Sequence, residues 1–203
     1  SPQVEIHELV KFQCRQYSLD VRSNGTLCAI ILKNRSYSDF FIARKKRVMT
    51  DRTIEDKEKY MSMALELAEK GLGTTSPNPM VGAVIVKNGE IIGKGFHKKA
   101  GSAHAEVEAV QDAHSKDYDI EGADMYVTLE PCSHKGRTPA CSDLLIKEKI
   151  GRVFIGMRDP NPLVNGGGIE KLEGALIKCE VGILEERCRQ LNEVFLKYVT
   201  EKM

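Results

Sequence analysis

Three side chains able to bind a soft metal ion lie at separate places in this chain: His104, Cys132 and Cys141. Glu106 stands two residues after the histidine, and Pro131 directly precedes the first cysteine. Neutral imidazole and thiolate are good zinc donors, and a zinc with only three protein ligands keeps its fourth tetrahedral position for water. If the three act together, the fold must bring three stretches of chain to one point.

Glu106 adds a carboxylate that the ligand set does not need. Zinc lowers the pKa of a bound water from about 15.7 to about 7. A carboxylate beside it can take the water proton, protonate a ring nitrogen and then protonate a departing amine. Such a set supports zinc-dependent hydrolytic deamination. On a helix running from His104 to Ala113, residues two apart diverge by about 200°, yet in the first turn both can face one cavity. Alone, His-x-Glu fits a surface helix start equally well. Pro-Cys with a second cysteine nearby also fits a buried thiol or a structural zinc half-site. Their order, with strand-like segments before them, favours the catalytic arrangement. Iron can occupy similar ligands, but zinc suits redox-inert hydrolysis.

The chain has 203 residues, 41% hydrophobic and 29% charged, with formal net charge +1. That describes one ordinary soluble domain with room for an appendage. The near-neutral balance argues against a nucleic-acid footprint. No apolar run reaches the roughly 18 residues of a membrane span, and no signal-peptide pattern opens the chain, so the cytoplasm is the default compartment. Of the six cysteines, Cys132 and Cys141 are assigned to metal. Cys179 and Cys188 are expected to pack as small apolar side chains, and His7 and His114 to lie on the surface.

From Met49 onward the pattern is locally consistent. Thr53 with Asp56 predicts a helix start, followed by Tyr60, Met61, Ala64, Leu65 and Ala68 at helical spacing, with Gly71 as the stop. Val81 to Lys87 and Glu90 to Gly95 read as strands joined by an Asn88-Gly89 hairpin turn. A strand from Met125 to Leu129 delivers Pro131-Cys132. Leu144 to Lys149 suggests a helix with Cys141 near its start, where the dipole favours thiolate. Strands at Arg152 to Met157 and Ala175 to Val181 and helices at Ile169 to Gly174 and Ile183 to Tyr198 complete a mixed sheet covered by helices on both faces.

Several longer strings carry a resemblance. They are Thr75-Ser76-Pro77-Asn78-Pro79-Met80-Val81-Gly82-Ala83, then His104-Ala105-Glu106-Val107, then the run from Thr128-Leu129-Glu130-Pro131-Cys132 to Ala140-Cys141, and Asp159-Pro160-Asn161-Pro162. From about Tyr60 to Tyr198 the chain resembles the diaminohydroxyphosphoribosylaminopyrimidine deaminases of riboflavin biosynthesis, which have the three-layer α/β/α cytidine-deaminase-like fold. Eight residues separate Cys132 from Cys141, whereas cytidine and tRNA adenosine deaminases typically place two there. The longer loop favours the riboflavin branch. Ala140 stands where that family usually has proline, a change that loosens the loop without touching a ligand.

The resemblance implies that the 2-amino group of 2,5-diamino-6-(5-phosphoribosylamino)pyrimidin-4(3H)-one is hydrolysed to give the corresponding uracil and ammonia. It also implies that Asn78, His97, His134, Arg137, Asp159 and Asn161 contact the substrate. Asn78 offers an amide donor and acceptor, and Arg137 a fork suited to phosphate. Asn78 between two prolines also fits a simple turn, Asp159-Pro160-Asn161-Pro162 a stiff strand exit, and Lys135 and Arg137 solvated loop charges. Two other readings compete: a nucleoside or tRNA deaminase, and a zinc-stabilised binding module, which would have no use for Glu106.

In many family members an NADPH-dependent reductase domain follows the closing helix, and none is found before Met203. The reductase is therefore expected on another polypeptide or lost through truncation. Family members commonly self-associate, but spacing reveals no interface. Residues 1–48 have no counterpart in the family and are read as a translated leader, with 49–203 as the deaminase domain. Leu9 to Gln13 and Arg15 to Asp20 can be back-translated into strings resembling the 3′ half of the FMN-sensing RNA element that precedes riboflavin operons. Arg44-Lys45-Lys46-Arg47 can be encoded by a purine-rich run resembling a ribosome-binding site. The alternative is a genuine extension in which Cys28 to Leu32 adds a strand. As a leader, residues 1–48 are expected to be dispensable and poorly ordered.

Overall fold

The computed structural model describes residues 52–133, 139–160 and 166–201. The leader reading of residues 1–48, with its alternative strand at Cys28 to Leu32, lies outside the described residues.

The Thr53 side chain accepts a hydrogen bond from the Asp56 amide and starts helix α1 (Ile54–Glu69). Tyr60, Met61, Ala64, Leu65 and Ala68 are its buried stripe, at the spacing seen in the sequence. Strands β1 (Gly82–Lys87) and β2 (Glu90–Phe96) form an antiparallel hairpin. Its turn holds Asn88 and Gly89 at φ 57° and 86°, the left-handed pair that a tight hairpin requires. Helix α2 (Ala105–Ser115), strand β3 (Asp124–Leu129), helix α3 (Cys141–Lys147) and strand β4 (Arg152–Met157) follow. Helix α4 (Gly167–Gly174), strand β5 (Lys178–Val181) and helices α5 (Glu185–Leu191) and α6 (Glu193–Glu201) complete the described order.

The described strands make one sheet in the order β2-β1-β3-β4-β5. Pairings are antiparallel for β1 with β2 and β3, and parallel from β3 to β4 to β5. Every residue of β3 and of β4 is buried, as expected of central strands covered on both faces. Side chains alternate between two cores. Ala83, Ile85, Met125, Val127, Val153 and Ile155 pack with α2, α3 and α4, while Val84, Val86, Tyr126 and Phe154 pack with α1 and α5. The result is the expected three-layer α/β/α architecture with a mixed sheet. Cys188 lies in the second core and Cys179 packs against the first, where burial pushes their thiols up to about 12 and about 11. Both behave as the small apolar side chains expected. His114 is exposed and pairs with Glu148 at 2.9 Å. Among the described residues, no helix is long and apolar enough to cross a membrane.

The structure corrects four boundaries. His104 is not in the first helical turn; it is the extended N-cap of α2, at φ −74° and ψ 161°. The helix read as starting at Leu144 begins at Cys141 itself. The strand read from Ala175 starts only at Lys178, because the chain first leaves α4 through Leu176 at φ 64°. Ile183 to Tyr198 is not one helix. Its break is Asn192, whose buried side chain accepts from the Met80 amide at 2.8 Å and donates to the Met80 carbonyl at 3.0 Å. Satisfying an amide so far away in sequence outweighs continuing the helix.

Helix α2 sits unusually close to the sheet. A Cβ added at Gly95 would lie 2.3 Å from the Ala105 carbonyl oxygen and 2.4 Å from the Ala109 nitrogen. The small faces of β2 and α2 therefore meet backbone to backbone, which sets the depth of His104 and Glu106. Gly95→Ala should destabilise the fold by about 1–3 kcal/mol through overpacking, read as a lower urea midpoint with an unchanged slope.

Candidate active site

The site is built at the carboxyl ends of β3 and β4, where open α/β sheets commonly bind ligands. At the opposite end the buried Asp124 ties these two strands together, accepting from Arg152 at 2.8 and 3.0 Å and from Arg52 at 2.8 Å. Strand β3 runs out through Glu130 and Pro131 to Cys132. Cys141 opens α3, and its backbone N–H donates to the Cys132 sulfur at 3.3 Å. Ser142 holds the Cys132 carbonyl through both its amide and its hydroxyl, each at 3.1 Å. The first turn of α3 thus fixes Cys132 and places positive backbone dipoles beside its sulfur.

Because His104 caps α2 in an extended conformation, its ring leaves the helix axis toward the cysteines. Its Nδ1 lies 3.2 Å from Cys141 Sγ and 3.7 Å from Cys132 Sγ. All three ligand atoms fall within 4.8 Å of one another. A tetrahedral zinc with ordinary bond lengths sets N···S edges of about 3.6 Å, so the donor set and its spacing fit a zinc ion.

The charges are tightly coupled. The hydrogen bond from Cys141 and the facing imidazole of His104 push the Cys132 thiol down, while Cys141 is pushed up by sharing its proton with Cys132 and by burial. His104 is raised by the Cys132 sulfur that it faces. Glu106 is 3% exposed, and its carboxyl is pushed up by burial. Since His104 stands before the helix and Glu106 in its first turn, the divergence of helical residues two apart does not separate them.

The remaining sequence candidates are only partly brought together. His97, 4% exposed, places Nδ1 3.0 Å from the Ala103 carbonyl oxygen and Nε2 3.2 Å from Asn78 Nδ2. A carbonyl can only accept, so Nδ1 carries the proton and Nε2 accepts from Asn78. Both His97 nitrogens are therefore engaged, and Asn78 is held with its amide oxygen left to offer. The turn reading of Asn78 holds as well, for its amide donates to Thr75 O at 2.7 Å beside a cis Ser76-Pro77 bond. The His97 ring meets that of His104 edge-on, with centroids 5.8 Å apart. Asp159 follows β4, and its amide donates to Glu130 at 3.4 Å. His134, Arg137 and Asn161 lie outside the described residues. The sequence motif includes Glu130 without revealing its part: its backbone donors lie 29 to 39 residues away, and no local pattern announces them.

An α/β/α layer fold with a His/Cys/Cys cluster beside a buried glutamate defines the zinc-dependent deaminase class. The chain belongs to that family: residues 54–157 match the cytidine and deoxycytidylate deaminase zinc-binding region. Within it, the chain is 53% identical over 143 residues to the riboflavin biosynthesis protein RibD of Aquifex aeolicus (strain VF5), covering 70% of this chain and 39% of that protein. It is 53% identical over 141 residues to the chloroplastic riboflavin biosynthesis protein PYRD of Zea mays, covering 70% and 35%. A solved Thermotoga maritima protein, described as a diaminohydroxyphosphoribosylaminopyrimidine deaminase/5-amino-6-(5-phosphoribosylamino)uracil reductase, superposes with a TM-score of 0.71 at 50% identity. That match covers 73% of this chain and 42% of the other. The chain thus spans well under half the length of these relatives.

A bound metal stabilises the folded state by mass action, by about 4 kcal/mol at a thousandfold excess over its dissociation constant. Removing zinc with a chelator should therefore lower the thermal midpoint of the native chain. Cys132→Ala should bind no stoichiometric zinc and show no such chelator effect, checked by metal analysis and calorimetry.

Proposed function

We propose that the chain hydrolyses 2,5-diamino-6-(5-phosphoribosylamino)pyrimidin-4(3H)-one to 5-amino-6-(5-phosphoribosylamino)uracil and ammonia, an early step of riboflavin biosynthesis. The observation that carries this reading is the meeting of His104, Cys132 and Cys141 within 4.8 Å, with Glu106 buried in the adjoining turn. The Thermotoga description, at 50% identity, supports the substrate.

In this reading His104 Nδ1 and the two cysteine sulfurs hold zinc. Bound there, the ion supplies a water whose pKa is lowered to about 7. Glu106 would accept a proton from the attacking water as a C–O bond forms at C2 of the pyrimidine. The same carboxyl would pass that proton to the ring nitrogen, then take the proton of the C2 hydroxyl and hand it to the amine, whose bond to C2 breaks to release ammonia and leave the C2 carbonyl. Burial keeps the Glu106 proton affinity high, which suits a group that must both take and return a proton. Asn78, held by His97, orients the ring through its amide oxygen. His134, Arg137, Asp159 and Asn161 complete the substrate contacts, with Arg137 assigned to the phosphate.

The deaminase unit is residues 49–203, with residues 1–48 dispensable for it. Reduction of the product falls to a reductase domain or a separate reductase. Exposed Val194 and Tyr198 on α6 support self-association of the chain. The metal-binding thiols suit a reducing compartment, here the cytoplasm, although the maize relative is named chloroplastic.

Zinc-loaded protein should release ammonia from the diaminopyrimidine phosphate, both as the full chain and as Met49 to Met203. Glu106→Gln should keep one zinc per chain while kcat falls by about 10²–10⁴. Near-wild-type turnover would remove Glu106 from proton transfer, and deamination of cytidine or deoxycytidylate instead would move the substrate to the other branch of the family.

A further inference from the structure

We infer that Glu130 is a positioning residue that clamps Asp159 and the start of α4 onto the loop bearing Cys132, and so sets substrate binding. The inference rests on the deaminase reading above, in which Asp159 is a substrate contact. Glu130 is 4% exposed and leaves β3 two residues before Cys132. Its own N–H donates to the Met157 carbonyl at 3.0 Å, which carries the β3–β4 pairing one step past Leu129 opposite Met157.

The carboxylate then spans two pieces of chain. Oε2 accepts from the amides of Asp159 at 3.4 Å and Gly166 at 3.1 Å. Oε1 accepts from Gly168 at 3.1 Å and Ile169 at 3.4 Å. One oxygen thus holds both flanks of residues 161–165, and the other holds the first turn of α4. That helix has no side-chain cap of its own: its N-cap is Gly166, at φ 82°. The amides at a helix start need acceptors, and here a distant carboxylate provides them.

The backbone is shaped for the same contact. A Cβ added at Gly168 would sit 1.8 Å from the Pro131 carbonyl oxygen, and one at Gly167 would sit 2.8 Å from Ser133 Oγ. Two glycines let α4 lie directly on the residues flanking Cys132. The two buried glutamates of this region therefore divide the work. Glu106 adjoins Cys141, whereas Glu130 reaches the backbone amides that locate Asp159.

The test uses the zinc-loaded full chain. In Glu130→Gln the side chain keeps its size, but an amide NH₂ replaces one oxygen and faces N–H groups. Zinc should stay at one per chain and kcat within about threefold, while KM for the diaminopyrimidine phosphate rises about tenfold or more. Hydrogen exchange at the amides of residues 166–169 should quicken by at least about tenfold, with α2 and β3 still protected. Glu130→Asp, whose shorter carboxylate cannot span both pieces of chain, should show the same split, and it carries the test if Glu130→Gln does not fold. Unchanged KM and exchange in the variants would overturn the assignment. So would loss of zinc and kcat at constant KM, which would make Glu130 a support for Cys132 alone. If the wild type releases no ammonia, the deaminase reading fails, and the exchange comparison alone then decides whether the clamp exists.

Discussion

Three donor atoms from three stretches of chain must meet within a few ångströms, and much of the architecture answers that demand. A zinc ion tolerates small errors in ligand position poorly, because its bonds are about 2.0–2.3 Å long and tetrahedral. The chain meets the requirement with rigid parts. Cys132 follows a strand buried on both faces, Cys141 is the first residue of α3, and His104 is the cap of α2. Glycines in β2 let α2 lie against the sheet backbone, and Asp124 with its two arginines ties β3 and β4 at the far end.

The same packing sets the electrostatics. Cys132 sits where the α3 backbone and the His104 ring stabilise a thiolate, whereas Glu106 sits where burial disfavours charge. The sulfur and the carboxyl are thus shifted in opposite directions by their surroundings. His97 adds a quieter contribution. Both its ring nitrogens are engaged, by the Ala103 carbonyl and the Asn78 side chain.

Local patterns were a sound guide wherever the determining interactions are short in sequence. Thr53 caps α1 through a residue three positions on, the five apolar residues of α1 recur at its own period, and Asn88-Gly89 adopts the hairpin turn that its chemistry favours. The clearest departure falls where a distant partner decides. Asn192 reads as one more residue of a long closing helix, but Met80, 112 positions away, takes both ends of its amide and breaks that helix. His104, considered as the first residue of a helix to Ala113, is instead its extended N-cap. Glu130 stands in plain view within the motif, while its donors lie 29 and more residues downstream.

What the sequence determined by itself was the inventory and the chemistry: two soft sulfurs, an imidazole and a spare carboxylate, set among segments whose periods of 2 and 3.6 require a sheet between helices. These follow from side-chain identity and short-range backbone preference, which are local properties. The tertiary structure alone decided which atoms face one another. It set His104 Nδ1 against the two cysteine sulfurs, turned His97 toward Asn78 and bound Glu130 to the start of α4. Those choices depend on satisfying buried polar groups across the packed layers, and a buried amide or carboxylate takes its partner from whatever chain the fold brings within reach.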